Sequence, residues 1–476
     1  MVAKDKRWLA LYLLCLGELM IVLDTTVVNV ALPSIREDLR FTESSLVWVI
    51  NAYMLTYGGF LLLGGRLGDL YGNRKLFLAG ITLFTAASVA CGVAGSQSVL
   101  IAARAIQGLG GAVVSAVALS LIINLFTEAG ERAKAMGFYG FVCASGGSIG
   151  VLLGGVLTDV LSWHWVFLVN VPIGIAVYAF CLSVLPADRG AQGPVRLDIG
   201  GALTVTLSLM LAVYAIVNGN GSGWGSMQTL GLLAASVVLL AVFLAIEARV
   251  PAPLMPLRMF RMRSFSVSSV VGALWAAAMF AWFFISALYM QLVLGYSPMQ
   301  VGLAFLPSNL IMAAFSLGLS AKMVMRFGIR GPIALGLGLS AVGLGLFAVS
   351  PVGGSFAVHV LPGMLLLGLG CGMALNPVLL AAMNDVAPTE SGLASGIVNT
   401  AFMMGGALGL AVLASLSAAR TESLLAAGAA SPAALTSGYQ WAFAVGAAFA
   451  ALATVLAWLL PAGPQQPAGE EAVART

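Results

Sequence analysis

The sequence is poor in charge. Of its 476 residues, 22 are Lys or Arg and 18 are Asp or Glu, which is 8% of the chain. Soluble proteins carry about 25% charged residues, and a chain of this length would need them to coat the surfaces of several domains. The hydrophobic fraction is 60% and the mean hydropathy is +1.02. These values exclude soluble, disordered and nucleic-acid-binding proteins, and they indicate a polytopic membrane protein.

Residues that support enzymatic or metal chemistry are also scarce. The chain has two histidines and five cysteines, and the cysteines lie in apolar segments without the paired spacing of a metal site or a disulfide framework. We therefore expect no metal, no other cofactor and no catalytic residues. A Gly-x-x-x-x-Gly-Lys-Ser/Thr phosphate loop is missing as well, which argues against an ATP-driven pump.

Long uninterrupted apolar runs predict membrane-spanning helices, because a spanning helix needs about 20 such residues whereas a barrel strand needs short alternating segments. The expected fold class is all-α. Fourteen spans are predicted, at residues 8–31, 45–64, 76–94, 98–126, 135–158, 164–185, 198–217, 227–247, 265–292, 299–321, 331–350, 356–383, 391–416 and 438–460.

The basic residues predict the orientation, because cytoplasmic loops are enriched in Lys and Arg. With the N-terminus in the cytoplasm and each span reversing the side, the inner loops and termini take all but four of the 22 basic residues. Arg36, Arg40 and Arg420 fall outside, and Arg104 falls within a span. This bias predicts a multi-pass protein of the cell (inner) membrane with both termini in the cytoplasm.

An internal repeat predicts two similar halves. Residues 65–74 follow span 2, and residues 321–330, which lie 256 positions later, follow span 10 with the same basic, aromatic and glycine pattern. Parallel repeats of six spans are a common transporter architecture. We therefore expect a first half over 1–190, a two-helix insertion over 191–250, a second half over 251–461 and a disordered cytoplasmic tail over 462–476.

Several motifs resemble those of one family. A loop motif is carried by Gly65, Leu67, Asp69, Gly72, Arg74 and Lys75, and further motifs lie at residues 23–33, 104–110, 146–155 and 163–172. Together they resemble the major facilitator superfamily and, within it, the fourteen-span drug–proton antiporter family. The resemblance implies the major facilitator fold, two six-helix halves plus a two-helix insertion, and alternating access.

The resemblance also implies roles for two groups of residues. The loop motif would act as a gate through exchanging charge pairs, and the alternative is that Asp69 and Arg74 form a solvated turn. The fifth-span glycines would give the close packing of the antiporter motif, or simply the small-residue grooves common in membranes. Val151 stands where that motif usually has proline, which puts a kink there in doubt. These packing glycines are Gly146, Gly150, Gly154 and Gly155.

Ionisable residues inside a membrane are costly and usually functional. At a rise of about 1.5 Å per residue, Glu18 lies near the bilayer midplane, whereas Asp24 lies in the outer half at a depth close to that of Arg104. We expect these three residues to couple protons to transport, with Asp24 and Arg104 able to pair directly, through Gln107 or through water. The alternative is a polar structural cluster without a transport role. Asp198 is predicted as a helix cap and Glu247 as an interfacial residue.

The second half offers no carboxylate within the membrane. Between residues 264 and 460 the acidic residues are Asp385, Glu390 and Glu422, all in predicted loops. Any proton site is therefore expected in the first half. The candidates for lining a cavity between the halves are amides, namely Gln107, Asn309, Asn376 and Asn399.

The sequence thus predicts a secondary transporter that exports lipophilic drugs or antibiotics, cationic or neutral, in exchange for protons. Its partners are protons, the small lipophilic substrate and the lipid bilayer, with no nucleic acid. The main alternative is a dedicated exporter or importer of one metabolite or lipid on the same fold. A channel needs neither the repeat nor a gate, and two histidines near the surface do not supply an intramembrane enzyme.

Overall fold

Helices dominate because an apolar segment in a bilayer satisfies its backbone N–H and C=O groups only within a helix or a closed barrel. The computed structural model describes residues 4–126, 128–185, 198–251, 253–315, 319–384, 386 and 391–460; within these ranges the side chain of Asp69 and several on the fifth helix are not described. The long helices are α1 (Lys4–Leu39), α2 (Trp48–Tyr71), α3 (Asn73–Gly92), α4 (Gln97–Leu125), α5 (Ala129–Val160), α6 (Asn170–Val184), α7 (Ile199–Ser222), α8 (Met227–Glu247), α9 (Arg263–Leu288), α10 (Pro298–Ala314), α11 (Arg330–Phe347), α12 (Leu361–Met383), α13 (Ser391–Ala426) and α14 (Ser431–Ala457).

The helices confirm the predicted fold class. Among the described residues, 12 helices are long and apolar enough to cross a membrane, and α5 and α10 contribute the shorter apolar stretches Ile149–Val160 and Pro298–Ala314. Together they account for the fourteen predicted spans. The bounds of α8 are those predicted, whereas α1 and α13 are longer than their predicted spans. The proposed tail at 462–476 and the boundary near residue 190 lie outside the described residues.

Polar residues mark several helix starts, because the first backbone N–H groups of a helix have no partner within it. Ser96 accepts a hydrogen bond from the Val99 amide at the start of α4, and Ser226 accepts one from the Thr229 amide at the start of α8. Ser297 and Gln300 form a reciprocal capping box at α10. These capping residues mark where α4, α8 and α10 begin.

The loop predicted at residues 65–75 is almost entirely helical, which corrects that prediction. Gly65 and Asp69 belong to α2, which ends at Tyr71, and Arg74 and Lys75 belong to the first turn of α3. Gly72 alone reverses the chain, with φ of 95°. A residue without a side chain adopts this conformation readily, so one glycine replaces a longer loop.

The second copy of the motif has the same geometry. The helix Ser320–Phe327 ends at Gly328, whose φ is 74°, and α11 begins at Arg330. The Gly72 amide donates to Gly68 O and the Gly328 amide donates to Val324 O, at 3.0 and 2.9 Å. The 256-residue offset therefore holds for backbone conformation as well as for sequence.

The same helix pairs pack in both copies of the repeat. In the first, α1 contacts α5 and α6, α2 contacts α4, and α3 contacts α4 and α6. In the second, α9 contacts α13 and α14, α10 contacts α12, and α11 contacts α12 and α14. Adding eight to each helix number in the first set gives the second set. Eight is the number of helices in one half, six, plus the two helices of the α7–α8 hairpin.

Two seams join the halves, one between α2 and α13 and one between α5 and α10. We name the face that carries Lys6 the inner face, following the predicted topology, and the opposite face the outer face. Among the described residues, four hydrogen bonds cross between the halves at or towards the outer face: Asn51 to Ala407 O, Gln291 to Val30 O, Ser417 to Glu43 and Ser297 to Asp159.

The α7–α8 hairpin lies beside the first seam, because α7 contacts both α2 and α13. Asp198 caps α7 as predicted, and its Oδ1 accepts the Gly201 amide at 2.7 Å. Glu247 ends α8 and is buried, because the segment after α8 folds back over it. One prediction needs correction. Glu422 lies in α13 instead of a loop, because this helix extends beyond its apolar part to Ala426. Asp385 and Glu390 lie outside the described residues.

Candidate functional site

A buried polar cluster in the outer half of the first six helices is centred on Asp24 of α1. The Asp24 side chain is fully buried. Its Oδ2 accepts a hydrogen bond from Arg104 Nη1 of α4, and its Oδ1 accepts from Gln107 Nε2 at 2.7 Å and from Asn170 Nδ2 at 2.9 Å. Three donors therefore surround this carboxylate, and the bond from the cationic Arg104 is of the strong, charge-assisted kind.

Arg104 is buried and bonded on several sides. Besides Asp24, its Nη1 donates to Gln107 Oε1 at 2.7 Å, and its Nε donates to the backbone carbonyl of Val49 at 2.9 Å. Gln107 Nε2 also donates to Ser88 Oγ at 2.9 Å. The cluster therefore connects α1, α2, α3, α4 and α6, and it gives the buried cation the partners that its burial requires.

Two aromatic rings enclose the Arg104 guanidinium. Its central carbon lies 4.4 Å from the Tyr53 ring centroid and 5.6 Å from the Phe167 ring centroid. Rings at these distances attract a cation through their quadrupole, and the attraction strengthens when water is excluded. The rings thus fix the plane of the guanidinium and shield the ion pair from solvent.

Glu18 lies below this cluster on α1, in a different environment. The residue is 5% exposed, and its Oε1 accepts a hydrogen bond from Ser115 Oγ of α4 at 3.1 Å. The Tyr139 side chain of α5 is also within hydrogen-bonding reach of the carboxyl, and no basic side chain that the structure describes pairs with it. Glu18 thus differs from Asp24 in having hydroxyl neighbours and no cationic partner among the described side chains.

The glycines of α5 lie against α1 and α10. A Cβ at Gly146 would come within 2.8 Å of Val22, one at Gly150 within 2.0 Å of Thr26, and one at Gly154 within 2.5 Å of the Val27 carbonyl. At Gly155 it would lie 2.7 Å from the Pro298 carbonyl of α10. The helix runs unbroken through Val151, in keeping with the absence of a proline there.

The remaining candidates do not join the Asp24 cluster. Arg74 donates to the carbonyl of Leu182 on α6, Lys75 is exposed, and the Asp69 side chain lies outside the described residues. Asn309 is buried on α10, Asn376 on α12 is half-buried, and Asn399 on α13 is exposed. The described part of the chain records no hydrogen bond between these three amides and the cluster. Gln107, by contrast, lies at its centre.

Sequence reasoning missed Asn170, Ser88 and Tyr53. Asn170 lies in the motif at residues 163–172, so its position was visible although its contact was not. Its amide reaches Asp24 because the Trp165–Leu168 helix turns the chain before α6. Nothing in the local sequence around Ser88 or Tyr53 distinguishes them from other polar residues of apolar helices.

Comparison with known proteins agrees with this architecture. The profile of the Major Facilitator Superfamily matches residues 14–410. The chain is 40% identical to puromycin resistance protein pur8 of Streptomyces alboniger, covering 96% of this chain and 91% of that protein. It is 38% identical to cephamycin export protein CmcT of Amycolatopsis lactamdurans, covering 95% and 92%.

Solved structures with the same fold share little sequence. One is a bacterial homologue of the human lysosomal transporter Spinster in an inward-facing, unoccupied conformation. Its TM-score is 0.70 at 17% identity, over 96% of this chain and 97% of that one. Another is a bacterial homologue of the human drug peptide transporters PepT1 and PepT2, with a TM-score of 0.64 at 15% identity, over 95% and 97%.

Proposed function

Because this chain belongs to the Major Facilitator Superfamily and is a multi-pass membrane transporter, we propose that it exports small lipophilic drugs or antibiotics in exchange for protons. The direction of transport is supported by relatives whose names describe antibiotic resistance and export. The transporter would lie in the cell membrane with both termini in the cytoplasm and would work by alternating access.

The observation that carries proton coupling is the contrast between the two carboxyls of α1. Asp24 accepts three hydrogen bonds, one of them from Arg104, whereas Glu18 is buried and pairs with no basic side chain among the described residues. A site that binds and releases a proton in each cycle needs a group whose two protonation states are close in free energy. We assign this role to Glu18, because it is buried without a cationic partner among the described residues.

Movement of the halves would link the proton to the substrate. The hydrogen bonds between the halves at the outer face support a conformation closed on that side. Rocking about the glycine-lined seams would open it, and proton and substrate would bind alternately in the space between the halves. The residues around Gly72, including Gly65, Asp69, Arg74 and Lys75, would gate the inner face, and Asn309, Asn376 and Asn399 would line the cavity.

A second candidate is a dedicated exporter of one metabolite. It is favoured by the names of relatives that specify a single compound, such as lincomycin or tetracenomycin C. A growth-inhibition panel of lipophilic cations, neutral antibiotics and dyes, with and without the expressed protein, separates the two. Resistance to chemically unrelated compounds supports the drug exporter, and resistance to one compound supports the dedicated one.

Proton coupling is tested by Glu18→Gln, because the amide has the same volume and cannot carry a proton. In proteoliposomes with an imposed pH gradient, the variant should bind substrate but fail to move it uphill. Glu37→Gln is the matched control, since Glu37 is an exposed glutamate of the same helix. Uphill transport by Glu18→Gln at the rate of the control would overturn the assignment of Glu18.

A further inference from the structure

The inner end of the α7–α8 hairpin brings two carboxyl groups together outside the transport site. Asp198 precedes α7 and Glu247 ends α8, so the antiparallel hairpin places them side by side within hydrogen-bonding reach. Asp198 is 5% exposed and Glu247 is 3% exposed. Two acidic residues buried against each other are costly if both are ionised.

One oxygen of each carboxyl is already bonded. Asp198 Oδ1 accepts the Gly201 amide at 2.7 Å, and Glu247 Oε2 accepts the Met255 amide at 2.9 Å. The other two oxygens, Asp198 Oδ2 and Glu247 Oε1, have no partner among the described residues. Both approach the same point, because a Cβ on Gly201 would lie 2.5 Å from the first and 2.9 Å from the second.

The charged residues nearest to the pair in sequence and along the adjoining helices can be named. The two residues are the only charged ones in α7 with its cap and in α8, and neither takes part in an ion pair among the described residues. The basic residues of the adjoining segments are Arg249 and Arg258 after α8 and Arg66 near the inner end of α2, and Arg258 is engaged in an interaction. Charged residues of α13 lie at its opposite end, and Arg196 lies outside the described residues.

We propose that Asp198 and Glu247 hold one proton between them, which forms a proton-binding site distinct from the carboxyls of α1. A proton between Asp198 Oδ2 and Glu247 Oε1 gives both free oxygens a partner and leaves the pair with one negative charge. A hydrogen bond to an ionised carboxylate is about twice as strong as a neutral one. The site needs no other ligand.

This proton fastens the hairpin to the second half. Glu247 holds the Met255 amide, and Met255 packs both with Met259 and Phe265 near the start of α9 and with Met404 of α13. Leu254 packs with Leu63 of α2 and Ala202 of α7. Without the proton, two negatively charged carboxylates would repel each other at the place where the hairpin, α2 and the second half meet. The hairpin is then held tightly at acidic pH and loosely at alkaline pH.

The test is the thermal stability of the purified full-length protein from about pH 5 to about pH 9. A shared proton stabilises the fold at low pH, and this contribution is lost as the pH rises and the pair becomes doubly ionised. Glu247→Gln replaces the proton by an amide N–H that donates to Asp198. Its melting temperature should therefore exceed that of the wild type by about 2 °C at the alkaline end, with a flatter pH profile. An unchanged profile overturns the proposal.

Two glycines of the first turn of α7 give an independent test that leaves both carboxyls in place. Gly201→Ala pushes a methyl group between the two free oxygens and should abolish the pH-dependent step. Gly200→Ala is the matched control, because its Cβ would meet its nearest atom at 3.6 Å, and it should keep the step. Equal pH profiles for the two variants contradict the shared proton.

A third arm separates a proton from a metal ion. Wild-type protein at about pH 8 is compared with and without Mg²⁺, since two carboxylates are also ligands for that cation. If the pair shares a proton, Mg²⁺ should give no stabilisation that depends on Glu247. If Mg²⁺ stabilises the wild type but not Glu247→Gln, the pair binds a divalent cation instead of a shared proton. That result would overturn the proposal.

Discussion

The side-chain amide of Asn51 donates a 2.9 Å hydrogen bond to the backbone carbonyl of Ala407. Asn51 belongs to α2 and Ala407 to α13, so the bond joins the two halves. Both residues are buried. A polar bond in this position has no competing water while the halves stay together, and breaking it requires the seam to open.

Asn51→Ala should therefore shift the protein towards opening at the outer face. The net contribution of one hydrogen bond is about 1 kcal/mol, which corresponds to about a fivefold change in the ratio of closed to open conformations. The measurement is the rate at which a membrane-impermeant maleimide labels a cysteine placed at Val30, in a background without the native cysteines. Asn218→Ala is the control, because Asn218 bonds only within α7. Equal labelling rates would show that the bond does not hold the outer face closed.

The Asp24–Arg104 pair should behave as one unit in a mutant cycle. Arg104→Ala leaves a buried carboxylate without its cation and should destabilise the protein by about 3–5 kcal/mol. Arg104→Lys should recover only part of this, because lysine cannot bond Asp24, Gln107 and the Val49 carbonyl together. Asp24→Asn with Arg104→Gln should be more stable than Arg104→Ala but inactive. Thermal unfolding measures each variant, and strictly additive losses would mean that the residues do not interact.

The two turn glycines should respond alike to substitution. Gly72 and Gly328 both have positive φ, and alanine in so sparsely populated a conformation costs about 1–3 kcal/mol. Gly72→Ala and Gly328→Ala should each lower the melting temperature, whereas Gly345→Ala, in open space within α11, should not. A loss at one position only would show that the two turns are not equivalent, despite their shared sequence offset.

Packing across the second seam should depend on Gly155. Its Cβ would lie 2.7 Å from the Pro298 carbonyl and 3.0 Å from Met299 Cα, so Gly155→Ala must move α5 away from α10. Overpacking of this kind costs about 1–3 kcal/mol, and transport should slow. Gly147→Ala is the control on the same helix, since its nearest atom would be 4.0 Å away. If Gly155→Ala transports at the rate of Gly147→Ala, close packing of α5 against α10 at this point is not needed for transport.

The sequence predicted the fold well because apolar runs, basic loops and the repeat are averages over many residues. It also predicted that Asp24 and Arg104 lie at one depth, since depth depends only on helical rise. It was wrong about residues 65–75 because polar residues there looked like a loop, although a helix can extend past the apolar core. Gly72 was visible, but its positive φ depends on the packing of α2 against α3.

The contacts of Asn170, Tyr53 and Glu247 could not be predicted for a different reason. Each depends on how a helix is rotated about its axis, and an apolar helix in a membrane carries little pattern that fixes this rotation. The Asp198–Glu247 contact is an exception in part, because two adjacent antiparallel helices place the start of one beside the end of the other. Only the burial and the free oxygens required the structure.

The position of the α7–α8 hairpin makes the two seams unequal. α7 lies against both α2 and α13, and Asn220 bonds to Ser415 across that contact, so the first seam is covered along its length. The described helices place no such cover over α5 and α10, whose closest contacts across the membrane are with each other and with their own halves. Lipid is therefore kept from the first seam by a third helix, whereas the second seam is closed by the packing of α5 directly against α10.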